Sequence, residues 1–432
     1  MPKKILWIIV MAVAFLLPFF SSDAFKTQTY TLYALFAAGL FGIAAVNRSW
    51  LNNKALILPL SLWLFVVFFT SFYALYRPGA FTGMCNMLFY AFVFITVAGI
   101  EDKMKKQLAF MLVIGSILIS ARAIFQYFVF FEKIAPLIQE RALGLSEKEA
   151  LYITDIALRQ RTISTFVTPN LLASYLSMVN LIALFFCFVV KSKAFRGACL
   201  LALLMNCYSL WLTRSAAGLV SFAIGVFLLN LLMSAKGAPR EKRFRITLAV
   251  FCAVVFAAMA CLTTSRIIYD TGTDKMLLSL AGRLEFWKTA MRIITDQPFQ
   301  FVGLEGFGFL YRLYAPYAQF ESTMAHNLFL QLWIETGIMG MAVFIWFAAS
   351  VVLAAIRGLK KARPVFEDYA FKSACLGAVF VFLIHNMLDF SFFVPQTAVI
   401  FWLLCAFIVS NENGRQKSDR GECLKPGPEA GI

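Results

Sequence analysis

The sequence predicts an all-α polytopic membrane protein with about 12 transmembrane helices. Of its 432 residues, 61% are hydrophobic and only 14% are charged, whereas soluble globular chains average about 45–50% apolar and about 25% charged residues. Water-soluble cores stop growing near roughly 250–300 residues, so one such core cannot bury this much apolar surface. The apolar residues also form continuous runs of about 20 residues, the length that a helix needs to cross a bilayer.

Twelve apolar runs have this length. Their approximate ranges are 5–21, 29–46, 55–75, 81–99, 107–131, 170–190, 196–213, 216–234, 246–263, 326–356, 369–388 and 393–410. Helices are the expected spanning form, because a helix satisfies every backbone polar group within one segment. A transmembrane barrel would instead show short segments of alternating polarity.

The positive charges predict the orientation of the chain. When the connections between the runs are assigned alternately to two sides, more than half of the 39 Lys and Arg residues fall on the side of the two termini. The positive-inside rule places that side in the cytoplasm. The net charge of +16 then reflects topology and contact with anionic lipid. No soluble basic domain indicates a nucleic-acid partner.

The same pattern predicts the domain organisation. Residues 1–411 are expected to form one transmembrane domain with two long periplasmic loops, 132–169 and 264–325, and residues 412–432 a disordered cytoplasmic tail. Long loops in a compact protein are often functional, so we expect the function on the outer side. In the second loop, apolar residues at helical spacing predict a helix on the membrane surface or on the bundle. They are Leu284, Trp287, Met291 and Ile294.

Arginines mark three outer positions. Arg161 and Asn170 flank a helix start in which Thr168 is a good N-cap and Pro169 a good first residue. Arg214 lies in the tight turn between the seventh and eighth runs, where it could reach lipid head groups or grip a lipid diphosphate bidentately.

The third of these arginines is Arg283, on the helix predicted in the second loop, where it belongs to a solvated charged face or to a site. A fourth arginine, Arg122, is inside the fifth run. It is expected to pair with Glu335 or Asp389, or to contact a diphosphate, and the structural pairing is favoured.

The tenth run opens with a polar stripe. Asn327, Gln331 and Glu335 are spaced i, i+4, i+8 and share one helix face, which in a membrane must meet the protein interior or a wet cavity. His326 stands at the outer end of this stripe and is a candidate general base. The sequence has no Walker A motif, Asp-x-Asp pair, His/Cys cluster or nucleophile elbow. We therefore expect no metal, no cofactor and an activated substrate as the driving force.

Together these motifs resemble the O-antigen ligase and polymerase superfamily of bacterial inner-membrane proteins, over roughly residues 155–395. The residues that carry the resemblance are Arg161, Thr165, Phe166, Pro169 and Asn170, then Arg214 and Ser215, then Gly282, Arg283 and Trp287, then Pro298, Gly303, Gly306, Phe307 and Gly308, then His326, Asn327, Glu335 and Gly337, and finally His385, Asn386, Asp389 and Phe390. Ser215 departs from the Arg-Gly form that is common in the family.

The resemblance implies a membrane-embedded, metal-independent glycosyltransferase of the C class. Such a ligase transfers a glycan from undecaprenyl diphosphate to a lipid A–core sugar on the periplasmic face and inverts the anomeric centre. It also implies that Arg214 and Arg283 stabilise the leaving diphosphate and that His326 is the base. Substrate contacts are expected from Arg122, Arg161, Asn170, Asn327, Gln331 and Glu335.

Two alternatives remain open from the sequence. The polymerase branch of the superfamily uses the same donor and chemistry but a lipid-linked acceptor, and the single very long late loop favours the ligase. A lipid-linked glycan flippase would show charged or broken helices near the midplane and internal repeats. Here the polarity is concentrated at one face, which favours chemistry at the surface over translocation.

Overall fold

The computed structural model describes residues 2–19, 26–47, 53–133, 160–234, 246, 273–318, 320, 322–362 and 364–409. The regular secondary structure of these residues is helical. The α-helices within them, α1 to α13 in chain order, are Pro2–Leu16, Lys26–Asn47, Lys54–Phe72, Arg77–Gly99, Asp102–Phe125, Pro169–Val189, Lys193–Leu212, Ala216–Ser234, Thr273–Asp296, Phe307–Tyr314, Leu328–Ala362, Phe366–His385 and Pro395–Ile408. A π-helical segment, Gln126–Phe130, continues α5.

The predicted fold class is confirmed: the chain is an all-α polytopic membrane protein. Among the described residues, eight helices (α3 to α8, α11 and α12) are long and apolar enough to cross a bilayer, and there are shorter apolar helices at Lys4–Phe19, Thr31–Ala45 and Pro395–Ile408. They coincide with eleven of the twelve predicted spans. The remaining span, 246–263, falls almost wholly outside the described residues. So do 134–159 and 264–272 of the two predicted loops and the predicted tail, 412–432.

Helices α6, α12 and α13 form the interior of the bundle. Every residue of α13 is buried, and α6 is buried from Leu171 to Phe186. Trp402 on α13 lies against rings from two neighbouring helices, with centroid distances of 6.0 Å to Phe94 and 5.1 Å to Phe347. The outer faces of the peripheral helices instead expose large apolar side chains, which in a membrane protein face lipid.

Buried lysines organise the end of the bundle at which α5 begins. Lys105 donates to the carbonyls of Ala98 and Val409, at 3.1 and 2.6 Å, and so satisfies backbone acceptors at the C-terminal ends of α4 and α13. Lys372, the polar residue near the start of the eleventh predicted span, is also buried. Its ammonium lies 3.9 Å from the carboxylate of Asp102.

Helices α9 and α10, with the segments that connect them to α11, form a cap with its own small apolar core. The helix predicted in the second long loop is confirmed as α9, and half of the predicted stripe packs into the cap core. Ile294 is buried there and Trp287 packs against it, while Leu284 and Met291 remain about half exposed. The core is completed by Phe286, Ala290 and Ile293 on the adjoining part of the helix, because α9 has apolar residues on more than one face and periodicity alone does not say which face meets protein.

A kink in α11 attaches the cap to the bundle. Gly337 has φ +73° inside the helix, which interrupts the helical hydrogen-bond ladder. The carbonyl of Glu335 accepts a hydrogen bond from the N–H of Gly303 in the cap instead, at 2.9 Å. Kinks of this kind need a specific cause, and here the cause is a left-handed glycine whose neighbouring carbonyl is satisfied by another segment.

Replacing Gly337 with Ala should lower stability by about 1–2 kcal/mol, because a Cβ is disfavoured at positive φ. An added Cβ there would meet its nearest heavy atoms only at 3.7 Å, so the loss would come from the backbone and not from a clash. Thermal unfolding in detergent measures the change. The matched control is Gly197→Ala, because Gly197 lies in α7 with no atom within 4 Å of a built Cβ. An equal loss of stability in both variants would contradict the role of the kink.

Candidate active site

A chain of hydrogen bonds links the polar segments at one end of the bundle. The N–H of Thr162 donates to the carbonyl of Leu212, beside the Arg214 turn. The amide of Gln396, at the start of α13, donates to the carbonyl of Thr165 at 3.4 Å. The hydroxyl of Thr397 donates to the carbonyl of Ser391. The Arg214 turn, the start of α6 and the segment after α12 therefore share one end, here named the site end, which is the end that the sequence predicts to be periplasmic.

His326 precedes α11 at the site end and meets groups from two distant segments. Its Nδ1 atom lies 3.9 Å from a carboxylate oxygen of Asp389, a distance for electrostatic attraction and too long for a hydrogen bond. Its ring stacks on Phe286 of α9 at a centroid distance of 5.5 Å and meets Phe390 edge-on at 5.0 Å. The imidazole side chain is 21% exposed, so it is held by protein and can still be reached.

Arg283 lies one turn before Phe286 on α9 and joins the same group. Its Nε donates to the carbonyl of Leu388 at 2.9 Å, and one terminal nitrogen donates to the hydroxyl of Ser279 at 2.9 Å. These two bonds fix the plane of the guanidinium. The structure therefore brings together two of the predicted residues, Arg283 and His326, together with the buried carboxylate of Asp389.

The charges of this group set its protonation. Burial lowers the pKa of His326 to about 4; the charge of Asp389 opposes this shift and that of Arg283 adds to it. Burial alone would raise the pKa of Asp389, but His385, His326 and Ser391 hold it below its ordinary value. At neutral pH the site therefore holds a neutral imidazole beside an ionised carboxylate.

Asp389 is supported by two further residues. The Nε2 atom of His385, at the end of α12, lies 3.3 Å from one carboxylate oxygen, and the hydroxyl of Ser391 donates to that same oxygen. The sequence motif His385–Asp389 contributed to the resemblance, but Asp389 was expected only as one of two candidate partners of Arg122, and no role was predicted for His385. Their i, i+4 spacing around a turn was the available signal.

The Arg214 turn forms a second group at the site end. Arg214 has φ +52°, and its Nε is buried without a hydrogen-bond partner in the described part of the chain. Arg161 donates to the carbonyl of Thr213 at 3.0 Å and to the side chain of Asn170 at 3.1 Å. Ser215 accepts from the N–H of Gly218 at 3.2 Å and so caps α8. Serine at this position is therefore compatible with the turn.

Strained backbone is concentrated in these segments. In the described ranges, the non-glycine residues with positive φ are Gln160, Ser164, Arg214, Glu305 and His326. Such conformations cost of order 1–3 kcal/mol each and cluster at functional sites. Four of them lie in segments that follow or precede spans at the site end, and Glu305 lies in the cap, between α9 and α10.

Arg122 corrects a sequence expectation. It was expected to pair with Glu335 or Asp389, but its Nε donates to the carbonyl of Ser164 at 3.2 Å. The carboxylate of Asp389 is instead next to the two histidines. The acceptor of Arg122 is a backbone carbonyl, which leaves no signal in side-chain spacing.

Of the predicted polar stripe, Gln331 and Glu335 lie on one face of α11, whereas Asn327 precedes the helix. Asn327 accepts from the N–H groups of Phe329 and Leu330, at 3.0 and 3.2 Å, which is the pattern of a helix N-cap. The amide of Gln331 donates to Glu335 at 2.7 Å.

Glu335 in turn accepts from the N–H of Phe307 in the cap, at 3.3 Å. Over the described residues, no cluster of three His, Cys, Asp or Glu side chains is arranged to hold a metal ion.

The fold and the polar group at one membrane end define a polytopic membrane protein with a candidate catalytic histidine. Residues 200–345 match a family model described as O-antigen ligase. The resemblance to the O-antigen ligase and polymerase superfamily is thereby confirmed. The match includes Arg214, Arg283 and His326 and ends before Asp389. No curated protein matches the chain.

Proposed function

We propose that this protein is an O-antigen ligase that transfers a glycan from undecaprenyl diphosphate to a sugar hydroxyl of lipid A–core. The superfamily supports a glycosyltransferase-like ligase or polymerase in the membrane. The observation that carries the proposal further is the meeting of Arg283, His326 and Asp389, from three separate segments, at one end of the bundle. The same proposal places the protein in the inner membrane, with both termini in the cytoplasm and the active site on the periplasmic side.

The proposed reaction is a direct displacement. A hydroxyl of the acceptor attacks the anomeric carbon of the donor glycan, and the bond from that carbon to the diphosphate oxygen breaks. His326 accepts the hydroxyl proton, and the diphosphate leaves with the electron pair. Because the attacking oxygen enters opposite the leaving group, the anomeric configuration inverts.

Asp389 suits His326 for the role of base. A carboxylate facing Nδ1 favours the tautomer with the proton on that atom and leaves Nε2 as the acceptor. The separation of 3.9 Å is of the kind that tightens when substrate binds, since catalytic contacts are often long in a free enzyme. Asp389 is a positioning residue in this proposal.

The arginines suit the leaving group. The guanidinium of Arg283 is oriented by its bonds to Leu388 and Ser279, and Arg214 keeps a buried, unpartnered Nε within the described residues. Oriented cations stabilise charge that develops on a leaving phosphate without reorganisation. They provide positive charge of the kind that a divalent metal provides elsewhere. Arg161 holds the backbone of the Arg214 turn through the carbonyl of Thr213, and the side chain of Asn170 accepts from Arg161.

Single alanine variants should separate these roles. His326→Ala should lower the transfer rate about 10²- to 10⁴-fold through loss of the base. Arg214→Ala and Arg283→Ala should each lower it about 10²- to 10³-fold through loss of leaving-group stabilisation. The assay follows glycan transfer by purified protein, with thermal unfolding as a check on folding. Arg312→Ala is the matched control, because Arg312 is an exposed arginine of the cap. Full activity in the three site variants would refute the site.

The acceptor decides between the branches of the superfamily. Purified protein in EDTA is given an undecaprenyl-diphosphate glycan with either lipid A–core or further lipid-linked repeat. Product on lipid A–core without metal or nucleotide is the expected result. Lengthened lipid-linked glycan would assign the polymerase reaction instead. Movement of donor across liposomes without any transfer would refute the enzyme.

The pH dependence should carry the signature of His326. A base acts in its neutral form, so kcat/KM should be level near neutral pH and fall only as the pH approaches about 4. Asp389→Asn removes the charge that raises the pKa of His326, so its acidic limb should move to lower pH while the plateau rate falls. Rate profiles of both proteins test this. A limb near the ordinary histidine value in both would contradict the assignment.

A further inference from the structure

Arg122 lies on the lipid-facing side of α5. Leu118 and Phe125, four residues before and three residues after it, share its face and are 51% and 58% exposed. Charged side chains within spans almost always face the bundle interior or a cavity. Arg122 is exposed among apolar side chains, and within the described residues only its Nε has an acceptor, so its terminal nitrogens are left to groups from the membrane side.

The depth of Arg122 coincides with a lipid headgroup layer. It follows Asp102, the first residue of α5, by twenty positions, which at 1.5 Å per residue is about 30 Å. A bilayer hydrocarbon core is about 30 Å thick. Lys105 and Lys106 lie at the beginning of α5, and Arg122 lies near its other end, which is the site end. Arg122 is therefore at the level of the lipid phosphates on the site end of the bilayer.

The guanidinium is held in place by the protein. Its Nε donates to the carbonyl of Ser164 at 3.2 Å. One turn later, the side chain of Gln126 accepts from the N–H groups of Ile163 and Ser164, at 2.9 and 3.0 Å. Gln126 begins the π-helical segment, and such segments occur frequently at functional sites. With Nε fixed, the planar fork of Arg122 has a defined direction.

The segment that holds Arg122 also holds the Arg214 turn. Thr162 donates to the carbonyl of Leu212 through its N–H, and Arg161 donates to the carbonyl of Thr213. Residues 161–164 thus connect an arginine at the lipid surface to the arginine whose buried Nε is unpartnered in the described structure.

We propose that Arg122 binds the phosphate group of a lipid at the site end, and that this lipid is the polyprenyl-diphosphate donor as it enters from the bilayer. The inference rests on the proposed function. A guanidinium fork matches phosphate oxygens bidentately. The polyprenyl chain stays in the bilayer along Leu118 and Phe125, while the diphosphate moves along residues 161–164 to Arg214. Arg122 makes and breaks no bond in the reaction.

Binding of undecaprenyl diphosphate to purified protein tests the proposal. Affinity is measured in a maltoside detergent free of phosphate, by thermophoresis or native mass spectrometry. Arg122→Ala should weaken binding about 10- to 100-fold, the loss expected for charge-assisted hydrogen bonds, and Arg122→Lys should recover part of it. The control is Arg196→Ala. Arg196 is an exposed arginine near the start of α7 that donates to the carbonyl of Val190. Its replacement should leave the affinity for undecaprenyl diphosphate unchanged. Thermal unfolding confirms that each variant folds.

A second arm distinguishes a bilayer headgroup from the donor. The same proteins are given phosphatidylglycerol alone. Loss of phosphatidylglycerol binding in Arg122→Ala, with undecaprenyl diphosphate bound as tightly as in the unchanged protein, would overturn the proposal, as would full affinity for both lipids. In transfer assays, Arg122→Ala should raise KM for the donor more than it lowers kcat. Because the binding measurement needs no turnover, weakened binding in a protein that transfers no glycan would refute the proposed function and leave this inference standing.

Discussion

Glu335 is the residue on which the position of the cap depends. Its carbonyl, freed by the kink at Gly337, accepts from Gly303, and its buried carboxylate accepts from Phe307 and Gln331. These two bonds to the cap originate from one residue of α11, and Trp333 of the same helix adds a third by donating to the carbonyl of Pro298 at 3.1 Å. A buried polar side chain without hydrogen-bond partners is destabilising, so the cap and the polar interior of α11 stabilise each other. The cap also carries Arg283, and its placement therefore determines which side chains face His326.

The site is assembled by turns on a rigid apolar bundle. His326 precedes α11, Asp389 follows α12, and Arg283 comes from α9 of the cap. The carbonyl of Asn386 accepts from the N–H of Leu328 at 2.8 Å, which joins the start of α11 to the end of α12. The backbone at Arg214 and His326 has a strained positive φ, which persists because the surrounding contacts hold it in that conformation. The packed apolar helices thus hold the polar groups at the membrane surface in defined positions.

The sequence predicted the spans well because a bilayer imposes a length and a polarity on each of them. It also predicted the N-cap at Thr168, whose hydroxyl accepts from the N–H of Leu171 at 3.2 Å, and the single face of Gln331 and Glu335. It failed where the partner is backbone. The Ser164 carbonyl that holds Arg122 and the cap N–H groups that meet Glu335 leave no pattern in side-chain identity.

The charge arrangement gives the proposed base a dependence on its own substrate. In the free protein, burial and the neighbouring Arg283 keep the pKa of His326 low, so the imidazole is neutral but a weak proton acceptor. A bound diphosphate would bring negative charge to the same arginine and oppose its effect on the imidazole. The pKa of His326 would then rise, because an anion nearby favours the protonated ring. Asp389 already acts in this direction from the opposite side. His326 would therefore become a stronger base when the donor is in place, which would link deprotonation of the acceptor to the presence of a leaving group.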